Sequence, residues 1–309
     1  MKYNILSLDG GGIRGVFTAQ ILVRLQNEYP KLLDNVKLIA GTSTGGIIAI
    51  GLAMGLTPEQ LVQLYAENGK AIFRKTIWDE IWDVGGIAGA DYSSKPLKRI
   101  LTKYFEGTRL YQLNKHVVIP SFELYKKNRA NHSWDGKFFH NYEGDDSDGE
   151  ELAVDVAMAT SAAPTYFPSY NGYIDGGVVA NNPSMCALTQ AIKSVGTKLK
   201  DIRILSLGTG TQQNCIKQAS KKNLNWGLYD WAKPISSMMI DANMNIAHTH
   251  CENLLKANQY RRFSIMLGEK VEMDDYKAVP YLIDEANSAD LNGVVKWLKA
   301  NWRIKIKST

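Results

Sequence analysis

The fold is decided by the segment Tyr3-Asn4-Ile5-Leu6-Ser7-Leu8-Asp9-Gly10-Gly11-Gly12-Ile13-Arg14-Gly15 and by the run that follows it. Residues 3–8 carry no charge and are mostly apolar, which predicts a buried strand, and residues 16–29 repeat their apolar side chains at helical spacing. The glycines therefore connect a strand to a helix. Unpaired N–H groups and the helix dipole meet at such a junction, so an anion or a developing oxyanion is favoured there.

A second junction of the same form follows. Residues 36–40 are a short apolar run, Gly41-Thr42-Ser43-Thr44-Gly45-Gly46 comes next, and a small, apolar, helix-compatible run extends to Met54. This pattern predicts a nucleophile elbow, with Ser43 on a tight turn between strand and helix. A side chain at Gly41 or Gly45 would crowd the neighbouring strand and helix. The N–H of Thr44 can face the same oxyanion as the first loop.

The first loop has a competing interpretation. Residues 10–15 match the dinucleotide fingerprint G-x-G-x-x-G in its required strand-to-helix context. That fingerprint expects an acidic residue at the end of the second strand, where this chain has Ala40-Gly41-Thr42-Ser43. Taken alone, the glycine loop remains compatible with both a dinucleotide and an oxyanion.

A serine nucleophile needs a base, which is usually a histidine. None of the five histidines lies in a convincing motif: His116, His132, His140, His248 and His250. The better candidate is Asp175, which follows a short extended stretch and precedes Gly176-Gly177. Two glycines let the chain turn sharply and let another group approach closely. An aspartate before Gly-Gly is most often a turn, but here it joins two other motifs.

Several blocks in the same order resemble the patatin-like phospholipases. They are Asp9–Gly15, Gly41–Gly46, Thr160–Pro168, Asp175-Gly176-Gly177 with Asn181-Asn182-Pro183, and Ser206–Gly210. The resemblance spans roughly residues 3–210 and implies a three-layer α/β/α fold with a mainly parallel central sheet. Residues 1–210 are then the catalytic core, and 211–309 are the C-terminal part of the same domain, packed on that core.

The resemblance also implies a function. It implies a serine lipid acyl hydrolase that cleaves carboxyl esters of phospholipids or lysophospholipids through an acyl-enzyme, with Ser43 as nucleophile, Asp175 as general base and no metal or cofactor. The implied oxyanion donors are Gly10, Gly11, Gly12 and Thr44. The supporting positions are Arg14, Gly15, Gly41, Gly45, Gly176 and Gly177. For Arg14, contact with the lipid phosphate, a role in steadying the loop and an ion pair with a carboxylate all stay open.

Two alternatives stand beside this interpretation. Some bacterial members of the family are activated by a cyclic nucleotide and degrade the membrane in antiphage defence, although no nucleotide pocket is identifiable in the sequence. A dinucleotide-binding oxidoreductase is the more distant alternative. We expect no nucleic-acid polymer as a partner.

Composition and the lack of an apolar segment indicate the cellular compartment. The chain has 309 residues, a formal net charge of +5 and three scattered cysteines, which favours a reducing compartment. No targeting segment and no apolar run of about 18 residues is visible, so we expect a cytoplasmic protein that contacts membranes peripherally. Residues 72–89 place apolar side chains at i,i+4 before several glycines, which fits either a mobile lid or a helix packed on the core.

The remaining pattern predicts further elements. Strands are expected near Val117, Ile174 and Ile202, and helices over Pro183–Ser194, Pro234–Ala257 and Glu285–Ala300. The polar stretch 126–151 is expected to be an exposed loop, with a hairpin turn around Asp135-Gly136. Both glycine junctions then lie at the carboxyl ends of parallel strands, where such folds place ligands.

Overall fold

The central sheet is built from strands that begin and end close to the positions expected from the sequence. The structure, a computed structural model, describes residues 2–73, 89–125, 133–220 and 223–303. In these ranges the strands are β1 (Tyr3–Leu8), β2 (Val36–Gly41), β3 (His116–Glu123), β4 (Asp135–His140), β5 (Tyr173–Asp175), β6 (Ile202–Leu207) and β7 (Tyr260–Phe263).

Helices follow most of the strands. They are α1 (Gly15–Glu28), α2 (Thr44–Met54), α3 (Pro58–Ile72), α4 (Lys95–Phe105), α5 (Ala153–Thr160), the single turn α6 (Gly177–Ala180), α7 (Ser184–Val195), α8 (Leu228–Leu254), α9 (Val279–Ser288) and α10 (Asn292–Asn301). None of the helices in the described ranges is both long and apolar enough to cross a bilayer.

The sheet has the order β4-β3-β2-β1-β6-β7, and β1 is parallel to both of its neighbours. Its two faces are covered by separate apolar clusters. One includes the buried faces of α1, α2 and α3, and the other includes α7 and Cys251 of α8. The predicted three-layer α/β fold with a mainly parallel sheet is confirmed.

Strand pairing along β3 brings two distant segments together. The parallel pairing of β2 with β3 ends at Ala40 opposite Val118, and the antiparallel pairing of β5 begins at Asp175 opposite Ser121. These positions lie three residues apart on one edge of β3, which is about 10 Å at the rise of a strand. The end of β2 and the end of β5 therefore meet head to head.

Two local predictions need correction. Asp135 and Gly136 are not a turn, because they pair with Glu123 and Phe122 as the first residues of β4. The helix expected over residues 285–300 is two helices, and the Asp290 carboxylate accepts the Asn292 N–H where the second one begins. Such an Asx turn competes with helix continuation.

Two further differences concern the C-terminal third. The helix expected from Pro234 begins earlier, at Leu228, with Pro234 inside it. The strand Tyr260–Phe263 was not predicted, since two of its four residues are arginines. Of the segment 72–89, interpreted as either a mobile lid or a helix packed on the core, residues 74–88 lie outside the described residues.

Candidate active site

Ser43 occupies the turn between β2 and α2 in a conformation that few side chains adopt. Its φ is 54° and its ψ is −122°, whereas non-glycine residues rarely have positive φ. The Ser43 N–H donates to the Thr160 hydroxyl at 3.0 Å, which holds the turn from the neighbouring helix α5. The flanking Gly45 is required by close packing, because a Cβ there would lie 2.3 Å from the Leu8 carbonyl oxygen. The nucleophile-elbow geometry predicted from the sequence is present.

Asp175, at the end of β5, lies beside Ser43. Only 6% of the Asp175 surface is exposed, and the Ser43 side chain lies close enough to its carboxylate to lower the pKa of Asp175. The same carboxylate accepts the Gly177 N–H at 2.7 Å. Burial raises the pKa of Asp175 from 3.8 to about 6, and the nearby Ser43 side chain and the Gly177 N–H oppose that rise without cancelling it.

Two of the three consecutive glycines, Gly11 and Gly12, line a cavity. The Gly10 N–H donates to the Asn181 carbonyl at 3.1 Å, so it is occupied. In the described part of the chain the N–H groups of Gly11, Gly12 and Thr44 have no hydrogen-bond acceptor, and all three residues line the cavity with Ser43 and Asp175. Gly12 has a φ of 60°, which favours glycine.

A buried ion pair holds the start of this loop. Arg262, at the end of β7, contacts both carboxylate oxygens of Asp9, at 2.5 and 3.2 Å, and also donates to the Ser206 hydroxyl at 2.8 Å. Asp9 is 1% exposed. A bidentate arginine fixes both the position and the orientation of a carboxylate. The first residue of the glycine loop is therefore anchored to the far edge strand of the sheet.

Arg14 steadies the loop from the other side. Its Nε donates to the Gly11 carbonyl at 3.3 Å and its Nη1 to the Gly210 carbonyl at 3.5 Å. Within the described ranges no carboxylate lies within ion-pair distance of it. Of the three roles left open by the sequence, these contacts favour support of the loop.

The cavity has a volume of about 200 Å³ and mostly apolar walls. Its apolar side chains come from five helices and from the segment before β5, and they include Ile47, Ile72, Leu97, Phe167, Val178, Met239 and Ile240. One wall of the cavity carries the Ser161 hydroxyl, which is buried and has no hydrogen-bond partner among the described residues. Such a hydroxyl is available to a ligand.

Some supporting residues could not be found by sequence reasoning. The Asn243 side chain accepts the Asn181 N–H at 2.9 Å and donates to the Gly177 carbonyl at 2.8 Å. Asn243 thereby links helix α8 to Asn181, whose carbonyl accepts the Gly10 N–H, and to Gly177, whose N–H donates to Asp175. Asn243 carries no local motif, and its role depends on how α8 packs. Asn181 lies in a quoted block, but nothing in that block indicates its partner.

The histidines lie elsewhere. His116 stacks on Tyr142, and His140 lies close to the same ring. His248 lines a different cavity, His250 is exposed, and His132 lies outside the described residues. Among the described residues that line the cavity at Ser43, none is a histidine.

Fold and site together define an α/β protein with its ligand cavity at the carboxyl ends of parallel strands, between a strained serine and a glycine loop. The chain belongs to the patatin-like phospholipase family, whose model matches residues 6–188. That match covers more than half of the chain, and it places the protein among the hydrolases of lipid degradation.

Two relatives found by sequence similarity agree with this assignment. Patatin-like protein 2 of Oryza sativa subsp. indica is 28% identical over 94% of this chain and 82% of its own length. The cGAMP-activated phospholipase of Pseudomonas aeruginosa is 32% identical over 91% of this chain and 82% of its own. Among solved structures, human GIVD cytosolic phospholipase A2 in complex with methyl gamma-linolenyl fluorophosphonate covers 97% of this chain and 59% of that chain, with 11% identity and a TM-score of 0.45.

Proposed function

We propose that the protein hydrolyses carboxyl esters of phospholipids or lysophospholipids, with Ser43 as nucleophile and Asp175 as general base. The observation that carries the proposal is that these two residues lie side by side in one cavity with mostly apolar walls. With a pKa of about 6, Asp175 is ionised at neutral pH and is a stronger base than an ordinary carboxylate.

The reaction takes two steps. The Ser43 oxygen attacks the acyl carbonyl carbon while its proton passes to Asp175, and the carbonyl oxygen becomes an oxyanion. When the tetrahedral intermediate collapses, the ester C–O bond breaks, the leaving alcohol takes the proton from Asp175, and the acyl group stays on Ser43. A water molecule then attacks the acyl-enzyme, with Asp175 accepting its proton and returning it to Ser43 as the fatty acid leaves.

The oxyanion is stabilised by the N–H groups that the site leaves unpaired. We assign this role to Gly11, Gly12 and Thr44 and leave out Gly10, whose N–H already donates to Asn181. Donors that are preorganised in this way typically contribute about 10² to 10³ in rate each. The apolar walls accept the acyl chain, and the unpaired Ser161 hydroxyl faces the polar end of the substrate.

Ester hydrolysis by three variants tests the proposal. Ser43→Ala and Asp175→Asn are expected to lower kcat by roughly 10³-fold or more on both a phospholipid and a short p-nitrophenyl ester. Ser169→Ala, which changes an exposed serine, is expected to behave as wild type. For wild type, kcat/KM is expected to rise with pH through about 6, the pKa of Asp175. Activity that persists in Ser43→Ala would overturn the proposed nucleophile.

We also infer that a cyclic dinucleotide activates the enzyme. A relative with 32% identity carries the name cGAMP-activated phospholipase, and this chain has a second cavity that suits a phosphodiester. That cavity has a volume of about 480 Å³ and lies between α8 and β7. Cavities of this size accommodate a nucleotide-sized ligand.

The walls of this second cavity carry positive charge. Lys256, Arg261 and Arg262 line it, against one carboxylate, Glu252. The Ser264 hydroxyl also lines it and is buried without a partner among the described residues. Because Arg262 anchors Asp9, an anion that draws this guanidinium toward itself would change the hold on the glycine loop. The Arg262 side chain thus connects this cavity to the start of the glycine loop.

Thermal shift and ester hydrolysis, measured against a panel of cyclic dinucleotides that includes cGAMP, test this activation. We expect one member to raise both Tm and activity, and Lys256→Ala with Arg261→Ala to weaken its effect at least tenfold. Lys103→Ala, an exposed lysine on α4, serves as the control. If no member of the panel alters Tm or activity, this second proposal fails.

A further inference from the structure

Helix α8 carries an apolar face that nothing in the described part of the chain covers. Ile235, Met238, Met239 and Ile246 are 40% to 56% exposed and repeat at helical spacing along one side, with the exposed Ala242 between them. We call these five residues the α8 stripe. A row of exposed apolar side chains that follows one helix face marks an interaction surface more often than a solvent surface.

The stripe is also free of charge. Residues 234–247 contain one charged residue, Asp241, which is partly buried and accepts a hydrogen bond from Asn214. Solvent-facing helices usually place lysine, arginine or glutamate on the outside. Here the outward positions are filled by methionine, isoleucine, serine and asparagine.

The stripe reaches the mouth of the catalytic cavity. Met239 belongs to the stripe and lines the cavity together with Ser236 and Ile240. It lies one helix turn from Ile235 and directly after Met238. A surface that covers the stripe therefore also sits across the cavity that ends at Ser43. For an enzyme acting on lipid, the occupant of that surface must deliver the substrate.

We propose that the α8 stripe docks on a phospholipid bilayer and opens the catalytic cavity onto it; this rests on the function proposed above. Two observations favour a bilayer over a second copy of the chain. The 12 residues from Ile235 to Ile246 span about 17 Å at the rise of a helix. One row of side chains of that length buries much less surface than the roughly 800 Å² per partner that stable dimers bury. A second copy would also cover the cavity mouth at Met239 and exclude the substrate.

The chemistry of the stripe suits a lipid surface. Methionine and isoleucine can enter the boundary between headgroups and acyl chains, and methionine is flexible enough to adapt to an irregular surface. The net charge of +5 adds attraction to anionic headgroups. The hydroxyl and amide groups beside the stripe, on Ser236, Ser237 and Asn245, then lie at headgroup depth.

Vesicle binding tests the proposal. The variant Ile235→Glu with Met238→Glu places two carboxylates on the stripe without touching a residue that lines the cavity. The matched control is Ile192→Glu with Val195→Glu on α7, where the side chains are 41% and 46% exposed and have the same i,i+3 spacing. Both are made in wild type and in Ser43→Ala, so that binding is measured without hydrolysis.

Co-sedimentation with phosphatidylcholine vesicles, with and without phosphatidylglycerol, gives the partition coefficient. We expect the stripe variant to lose tenfold or more in partition and in hydrolysis of vesicle phospholipid, because two apolar side chains leave the interface. Hydrolysis of a soluble short-chain ester should stay at the wild-type rate, and the α7 control should match wild type in all three assays.

Several outcomes would overturn the proposal. Unchanged vesicle binding by the stripe variant would exclude this surface as the docking site. An equal loss of vesicle binding in the α7 control would show that the added negative charge, and not its place on the stripe, weakens binding. Light scattering that shows a wild-type dimer and a monomeric stripe variant would assign the stripe to a second copy. If no ester is cleaved by wild type, the proposed function fails, whereas binding of Ser43→Ala to vesicles still decides the docking surface.

Discussion

Replacing Asp175 by asparagine is expected to stabilise the fold while removing activity. Folding raises the pKa of this carboxyl from 3.8 to about 6, since the buried site disfavours the charged form. The native state therefore binds this proton more tightly than the unfolded chain does. The resulting stability is present at pH values below about 4 and is lost as the pH rises through about 6, which costs about 3 kcal/mol above that range.

The variant should recover most of this cost at pH 8. An asparagine keeps a carbonyl oxygen that can accept the Gly177 N–H, and its size matches the aspartate. We expect the free energy of unfolding of Asp175→Asn to exceed that of wild type by up to about 3 kcal/mol at pH 8 and to approach it near pH 4. Urea unfolding across this range, followed by the fluorescence of the seven tryptophans, measures the difference.

The control is Asp145→Asn, which removes an exposed carboxylate with no catalytic contact. Its difference from wild type should not grow in the same way between pH 4 and 8. Two results would refute the reasoning: an Asp175→Asn protein no more stable than wild type at pH 8, or a gain that does not depend on pH. Either would mean that the site does not penalise the carboxylate as its burial implies.

Two further predictions concern the glycine loop. In Gly11→Ala the new Cβ would lie 2.3 Å from the Thr209 hydroxyl oxygen, so the loop must shift. We therefore expect kcat to fall by roughly 10²-fold. The control is Gly107→Ala, where no atom lies within 4 Å of the new Cβ, and it should leave kcat unchanged. Arg262→Met leaves Asp9 buried without its partner and should lower the free energy of unfolding by about 3 to 5 kcal/mol. Adding Asp9→Asn should restore much of that loss in chemical denaturation, and a double variant as unstable as Arg262→Met would contradict the ion-pair explanation.

The parts of the fold that were predictable are those with strong local patterns. The uncharged strand at Tyr3, the helix that follows it and the turn at Ser43 each depend on neighbouring residues, and the structure places them as expected. Asp175 was identified as a candidate because two glycines follow it. Its position beside Ser43 could be expected only from the family resemblance, since it depends on the pairing of β5 with β3.

What escaped prediction depends on packing between distant segments. The Gly10 N–H donates to the carbonyl of Asn181, and the Asp9 carboxylate is bound by Arg262. Both partners lie far away in the sequence. The strand that carries Arg262 has two charged residues out of four and lacks the apolar pattern of a buried strand. The break after Ser288 depends on one aspartate side chain that competes with helix continuation.

The head-to-head meeting of β2 and β5 on β3 has a consequence for how the enzyme matures. Because Ser43 and Asp175 are far apart in the chain, neither can reach the other until both strands have paired with β3. Contacts of such long sequence separation form late, after the loops between them have closed. In a nascent or partly folded chain Ser43 therefore lacks Asp175, and we expect the hydrolysis proposed above only from molecules whose sheet is complete.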